Sequence, residues 1–168
     1  VKVDAAAFVA PMWGIKNRFM GMKYLAYAMR TMGQGNAFAV QPTPRGTFED
    51  NLVTNDKSRW DRHEALLDAS PELELGPITW AWLSASLTIM DRFAKPEALD
   101  NVTCPVLIAT ASEEALVDND SHQRISRHLQ NVERIIIEGA KHEILMETDE
   151  RRALFWSAFN RLLDRAAI

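Results

Sequence analysis

The stretch CPVLIAT, residues 104–110, decides the fold class of this chain. It is a short, continuous apolar run with a proline near its start, where a strand tolerates one. Such a run is typical of a strand that is buried on both faces of a parallel sheet. Two similar runs, residues 5–10 and 134–138, predict two more strands of the same kind. The sequence therefore predicts an α/β fold.

The segments between and after these strands carry helical patterns. Residues 119–130 place Ile125 and Leu129 on one face, and residues 79–93 and 149–167 predict two longer helices. A strand, a helix and a strand joined by a short crossover imply parallel pairing. A sheet of three strands is too narrow to bury strands as apolar as these on both faces and both edges. We therefore expect part of the fold to be missing, or to be supplied by another chain.

A long interval separates the first strand from the helix at residues 79–93. It is far longer than a usual connection of about 2–6 residues, so we predict an insertion with helices at residues 19–32 and 56–69. The predicted organisation has three parts: a core strand in residues 1–12, a helical cap insertion in residues 13–78, and the C-terminal strands and helices of the core in residues 79–168.

Composition excludes several classes of function. The chain has 168 residues, is 47% hydrophobic and carries a formal net charge of −4, which predicts one globular domain and gives no indication of a nucleic-acid partner. The single cysteine, Cys104, has no Cys or His at ligand spacing, and no apolar run approaches the roughly 20 residues that cross a bilayer. We expect no cofactor, no metal and no transmembrane segment.

Two ionisable side chains follow the second and third predicted strands. Asp118 comes eight residues after Thr110, and His142 comes four residues after Glu138. Ligands of open parallel sheets bind beyond the carboxyl ends of the strands. Neighbouring strands would bring the two turns together, and a carboxylate that accepts the Nδ1–H of an imidazole prepares the other nitrogen to take a proton. The hypothesis depends on contact between Asp118 and His142.

Each of the two side chains also has a structural interpretation. Asp118 could instead cap the helix that begins near residue 120, or pair with His122 one helical turn later. A lone histidine such as His142 is more often a loop residue than a proton carrier. The placement of an acid and then a histidine at successive strand ends favours the functional interpretation.

Four stretches carry a resemblance to a known group of enzymes. CPVLIATASEEALVDND (104–120) and GAKHEILMETDERRALFW (139–156) resemble the C-terminal half of the lysophospholipase and monoacylglycerol-lipase group of α/β-hydrolases. AAAFVAPMWGIK (5–16) is similar to the strand after their nucleophile helix. The segment 51–86 resembles the cap of bacterial lysophospholipase-like members.

The resemblance implies the C-terminal half of an α/β-hydrolase parallel sheet, with helices on both faces and a helical cap. It also implies a Ser-Asp-His triad that cleaves an acyl ester or lysolipid, with Asp118 as the acid and His142 as the general base. No glycine of this chain brackets a serine as G-x-S-x-G. We therefore expect the nucleophile in an N-terminal half from the same gene or from another chain. The alternative is a truncated or binding fragment without catalysis.

The predicted substrate contacts are Met12 and Trp13, which come directly after the first strand. Aromatic and methionine side chains at that place suit an apolar pocket for an acyl chain. They could equally pack the cap onto the core. We expect a cytoplasmic protein, and the sequence leaves peripheral membrane contact through the cap open.

Overall fold

The structure, a computed structural model, describes residues 2–166. Its strands are β1 (Ala6–Val9), β2 (Val106–Ala111) and β3 (Val132–Ile137). Its α-helices are α1 (Met22–Met29), α2 (Lys57–Ala69), α3 (Trp80–Phe93), α4 (Asn119–Ser126) and α5 (Asp149–Ala166). A π-helical turn spans Arg30–Gln34, and 3₁₀ turns span Pro71–Leu73, Pro96–Ala98 and Ile144–Met146.

Each predicted strand and helix is present, with ends that differ by a few residues. Asp56 and Thr79 are N-caps rather than helical residues, because their side chains accept the backbone N–H groups of the first turns. The predicted helix at residues 119–130 is shorter and ends at Ser126. The last predicted residue of α5, Ala167, lies outside the described part of the chain.

The three strands form one parallel sheet in the order β1, β2, β3. The register places Phe8 beside Ile108, and Ile108 beside Arg134. Parallel strands end at the same edge, so the segments that follow the three strands emerge together. The predicted parallel pairing is confirmed.

The central strand β2 separates two helical layers. Leu107 and Ala109 belong to a buried cluster with Phe155 and Leu162 of α5. Thr110, one residue further along, contacts His122 of α4, because successive side chains of a strand point to opposite faces. Helices therefore cover both faces of the sheet, and every residue of β2 is buried.

The first strand is less buried than the sequence predicts. Phe8 is 37% exposed, and its neighbour Ala7 is exposed as well. Within residues 2–166, β1 pairs only with β2, so no strand covers its outer edge. The expectation of a strand buried on both faces was right for β2. It was wrong for β1 and for β3, in which Ile136 is 48% exposed.

The predicted cap insertion packs through its first helix. Ala26 of α1 forms a second buried cluster with three residues of α3, namely Leu83, Leu87 and Met90. Helix α2 has no fully buried residue. Its Arg59 donates to the backbone carbonyl of Glu147 and to the carboxylate of Asp149. The domain boundaries at residues 12 and 78 stay a prediction.

Candidate active site

The turn after β3 carries the candidate proton carrier. Gly139 has a φ of 69°, a backbone conformation that glycine adopts without strain, and the chain then reaches His142. The Nδ1 atom of His142 lies 2.8 Å from Oε2 of Glu114. The imidazole is 21% exposed, whereas the carboxylate is completely buried. A neutral His142 therefore donates its Nδ1–H to Glu114, and its Nε2 is the atom left to accept a proton.

The carboxylate of Glu114 is held at both oxygens. Its Oε1 accepts the backbone N–H groups of Leu116, at 2.7 Å, and Val117, at 3.2 Å. Burial raises the pKa of this carboxyl, but the hydrogen bonds from these two N–H groups and from His142 outweigh burial and lower the pKa below its ordinary value. Glu114 is therefore a carboxylate at neutral pH, and it stabilises a protonated His142.

The two turns are joined by backbone groups that continue the sheet. The N–H of Ser112 donates to the carbonyl of Ile137 at 3.2 Å, and the N–H of Glu113 donates to the carbonyl of Ala140 at 2.9 Å. The N–H of Gly139 donates to the hydroxyl of Ser112 at 2.8 Å. Pairing of β2 with β3 thus extends past the strand ends and sets the distance between the acid and the histidine.

Asp118 does not make the contact that the sequence predicts. It is the N-cap of α4, where its Oδ1 accepts the N–H of Asp120 at 3.0 Å, and its Oδ2 lies 3.2 Å from the Arg124 guanidinium. The structural alternative weighed from the sequence is thus the observed one. The expected contact with His142 is corrected, because capping directs Asp118 toward its own helix and Glu114 occupies the place beside the imidazole.

The environment of His122 also differs from the one that the sequence suggests. The sequence suggests a surface pair with Asp118, but His122 is completely buried. Its Nε2–H donates to the carbonyl of Pro11 at 2.7 Å, so its Nδ1 accepts the hydroxyl of Thr110 at 3.1 Å. Desolvation lowers the pKa of this imidazole below its ordinary value. His122 therefore fixes the segment after β1 to the sheet as a neutral side chain.

The segment after β1 also supports the turn that carries Glu114. Ile15 and Val117 form an isolated antiparallel bridge, and the N–H of Asp118 donates to the carbonyl of Gly14 at 3.0 Å. The ammonium of Lys16 donates to the backbone carbonyl of Glu114. These contacts explain how one end of the predicted cap positions the buried acid.

The structure separates the two predicted substrate contacts. Met12 packs against the cluster between α1 and α3. The ring of Trp13 lies 5.0 Å from that of Phe8 and 5.9 Å from the ring of His122, on the α4 face of the sheet. There it lines a cavity of about 530 Å³ whose other walls include the amino ends of β1 and β2. Contact of either residue with substrate stays a prediction.

Sequence reasoning missed Glu114, although a signal was present. The stretch ASEEALVDND contains four acidic residues, and Glu114 is only three residues beyond the end of β2. Asp118 is seven residues beyond that end and directly precedes a helix, which is the ordinary position of an N-cap. Distance from the strand end would have favoured Glu114.

Residues 2–166 contain neither a candidate membrane span nor a candidate metal centre. No helix among them is long and apolar enough to cross a membrane. Their His, Cys, Asp and Glu side chains form no group of three or more that is arranged to hold a metal ion.

Known proteins resemble this chain along nearly its whole length. It is 30% identical to lysophospholipase L2 of Escherichia coli over 174 aligned positions, which cover 94% of this chain and 51% of that protein. It is 26% identical to the probable lysophospholipase L2 of Haemophilus influenzae, with 96% and 52% covered. The chain therefore spans about half the length of these relatives.

Solved structures agree with the fold. A soluble variant of the monoglyceride lipase of Saccharomyces cerevisiae superposes with a TM-score of 0.68 at 16% identity, covering 95% of this chain and 55% of that one. The monoacylglycerol lipase of Paleococcus ferrophilus gives a TM-score of 0.68 at 14% identity, with 98% and 60% covered. At such identities the likeness shows the fold alone.

A protein family matches most of the sequence. The family described as serine aminopeptidase, S33 (Hydrolase_4) matches residues 1–149. The parallel sheet with helices on both faces agrees with part of the α/β-hydrolase fold, as the resemblance predicts. The chain belongs to this S33 family of α/β-hydrolases.

Proposed function

We propose that this chain is the acid-and-histidine part of a serine ester hydrolase, in which His142 is the general base and Glu114 is its acid partner. One observation carries the proposal: the 2.8 Å hydrogen bond between His142 and a buried carboxylate, beyond the carboxyl ends of adjacent parallel strands. This is the arrangement of acid and base that orients an imidazole for proton transfer. Glu114 replaces Asp118 in the triad that the sequence suggested.

The proposed reaction is acyl transfer to a serine followed by hydrolysis. His142 takes the hydroxyl proton through Nε2 while the serine oxygen attacks the ester carbonyl, and Glu114 stabilises the imidazolium. The imidazolium then protonates the leaving alcohol, and an acyl-enzyme remains. Water deprotonated by the same Nε2 attacks the acyl-enzyme. As the acyl–serine bond breaks, the imidazolium returns the proton to the serine oxygen, and the carboxylic acid is released.

The nucleophile is placed outside residues 1–168 in this proposal. None of the seven glycines brackets a serine in the G-x-S-x-G pattern of the fold. The oxyanion donors come from the same missing elements, since one is the N–H of the residue after the nucleophile. An N-terminal half, from the same gene or from another chain, would supply both.

The proposed substrate is an acyl ester of the lysophospholipid or monoacylglycerol kind. The names of the two sequence relatives and of the two solved lipases support an ester of this class. Identity to the lysophospholipases is higher, so we place lysolipids first. Met12 and Trp13 remain the proposed contacts for the acyl chain.

The alternative is a non-catalytic fragment that keeps the cap and two triad members. The absence of a G-x-S-x-G serine from residues 1–168 favours this alternative. A fluorophosphonate probe, which labels activated serines, separates the cases. Labelling of a longer or partner chain that assembles with this one supports the hydrolase, whereas no labelling in any complete assembly supports the fragment.

The role of His142 is tested in the assembly that contains the nucleophile. His142→Ala should lower turnover of a p-nitrophenyl ester by roughly 10³- to 10⁶-fold, because proton transfer to and from the serine is lost. His63, exposed on α2, gives the matched control His63→Ala, which should keep its rate. Full ester hydrolysis by His142→Ala would refute the proposed function.

A further inference from the structure

We propose that Glu147 is a positioning residue that fastens the His142 turn to the predicted cap, so that the place of the general base depends on the cap segment 51–55. The inference rests on the proposed function for its kinetic consequence. Its structural part, the coupling of the turn to the segment, is independent of that function. Glu147 touches no reacting atom in this proposal and acts only through His142.

The carboxylate of Glu147 is completely buried, and both of its oxygens accept hydrogen bonds. Its Oε1 accepts three hydrogen bonds, from the backbone N–H of Asn55 at 3.1 Å, the side-chain amide of Asn55 at 3.0 Å and the backbone N–H of Lys141 at 2.9 Å. Its Oε2 lies 3.1 Å from the guanidinium of Arg151. One side chain therefore joins the cap segment, the residue before His142 and the start of α5.

Other contacts fasten the same two segments on both sides of His142. The N–H of Glu143 donates to the carbonyl of Val53 at 2.8 Å, and the ammonium of Lys141 donates to the carbonyl of Asn51 at 2.9 Å. The hydroxyl of Thr54 donates to the carbonyl of Met146 at 2.6 Å. The residues next to His142 on each side are thus held by the cap segment, with Glu147 at the centre of the contacts.

Glutamine at position 147 should weaken the contacts between the His142 turn and the cap segment 51–55 without leaving a cavity. A glutamine oxygen can still accept from Asn55 and Lys141, but its NH₂ group faces the Arg151 guanidinium, and donors cannot satisfy each other. The His142 turn then gains freedom relative to Glu114. A misplacement of about 1 Å can lower a rate by around 10²-fold, because the reacting groups are no longer aligned.

The kinetic test compares Glu147→Gln with Glu143→Gln in the assembly that contains the nucleophile. Both changes remove one carboxylate from the same turn, but Glu143 is exposed. We expect Glu147→Gln to lower kcat by roughly 10- to 100-fold with KM changed less than about threefold, and Glu143→Gln to leave both unchanged. A normal kcat in Glu147→Gln would overturn the kinetic part of the proposal.

A second readout follows the imidazole itself. In protein labelled with ¹⁵N-histidine, the Nδ1 proton of His142 should give a downfield resonance through its bond to Glu114. We expect this resonance to broaden or shift in Glu147→Gln and to keep its position in Glu143→Gln. A lower melting temperature with an unchanged resonance would show that Glu147 only stabilises the fold, which would overturn the positioning role.

Asn55→Ala tests the same contacts from the cap segment. This change removes the hydrogen bonds that the Asn55 side-chain amide donates to Glu147 and, at 2.8 Å, to the carbonyl of Gly139. The carboxylate of Glu147 stays in place. Asn55→Ala should change kcat and the His142 resonance in the same direction as Glu147→Gln, and it decides the question if that variant does not fold. Failure of the proposed function has a different signature, namely full activity in His142→Ala.

Discussion

Glu114 and His142, 28 positions apart in the sequence, meet through one hydrogen bond of 2.8 Å. Pairing between the turns after β2 and β3 sets that distance, and Glu114 has no exposed side-chain surface. The acid that contacts the histidine is therefore the one nearer to the strand end. Asp118, which the sequence favours, caps the following helix instead.

Removing the charge of Glu114 and removing the charge of Asp118 should have different effects on kcat. Glu114→Gln should lower kcat by about 10³- to 10⁴-fold, because His142 loses the partner that fixes its tautomer and stabilises its protonated form. Asp118→Asn should change kcat less than about threefold, since asparagine is also a good N-cap. Kinetics of ester hydrolysis by both variants check this assignment. A large loss in Asp118→Asn with a normal rate in Glu114→Gln would reverse it.

The architecture was readable from sequence because its signals are local. The apolar run of β2 and the amphipathic pattern of α5 each specify an element without knowledge of the rest. The exposure of Phe8 was not readable in this way. It depends on which elements lie beside the outer edge of β1, and the residues of β1 carry no information about that.

The sequence singled out the candidate histidine but not the acid that contacts it. His142 follows a strand end, and pattern alone singled it out. The choice between Glu114 and Asp118 needed the distance of each residue from the end of β2, three residues against seven, which hydrophobic periodicity does not take into account. The burial of His122 was also hidden, because its partners, Thr110 and the carbonyl of Pro11, are distant in sequence.

His122 predicts a dependence of stability on pH. Desolvation lowers its pKa in the folded state, whereas the unfolded chain has an ordinary value of about 6.5. The unfolded state then binds more protons at mildly acidic pH. The stability that the neutral imidazole contributes is present above about pH 6.5 and is lost as the pH falls through the folded pKa.

Urea unfolding from pH 5 to 8 measures this effect. The free energy of unfolding should fall toward pH 5, and the decrease should be smaller in His122→Gln, which cannot titrate. That variant should also be less stable at pH 8 by about 1–3 kcal/mol, since buried partners lose good hydrogen bonds. His63→Gln is the control on an exposed site. Equal pH profiles for wild type and His122→Gln would contradict the prediction.

Met12 and Trp13 predict a dependence on acyl-chain length. Met12→Ala and Trp13→Phe should raise KM for a long-chain p-nitrophenyl ester several-fold, and leave KM for the butyrate ester nearly unchanged, if these side chains contact the acyl chain. Trp13→Phe keeps an aromatic ring against Phe8 and His122, which limits the loss of packing. Steady-state kinetics across a series of chain lengths check the prediction. Equal effects on short and long esters would assign both residues to packing alone.

Gly139 predicts a backbone effect at the start of the His142 turn. Its φ is 69°, and a Cβ there would lie 2.5 Å from a terminal nitrogen of Arg151, which would have to move. Gly139→Ala should therefore destabilise the fold by about 1–2 kcal/mol from the left-handed conformation alone. Gly46→Ala is the control, because a Cβ at that exposed glycine meets nothing closer than 3.9 Å. Thermal unfolding of both variants measures the difference, and a melting temperature for Gly139→Ala equal to that of Gly46→Ala would show that this turn does not need glycine.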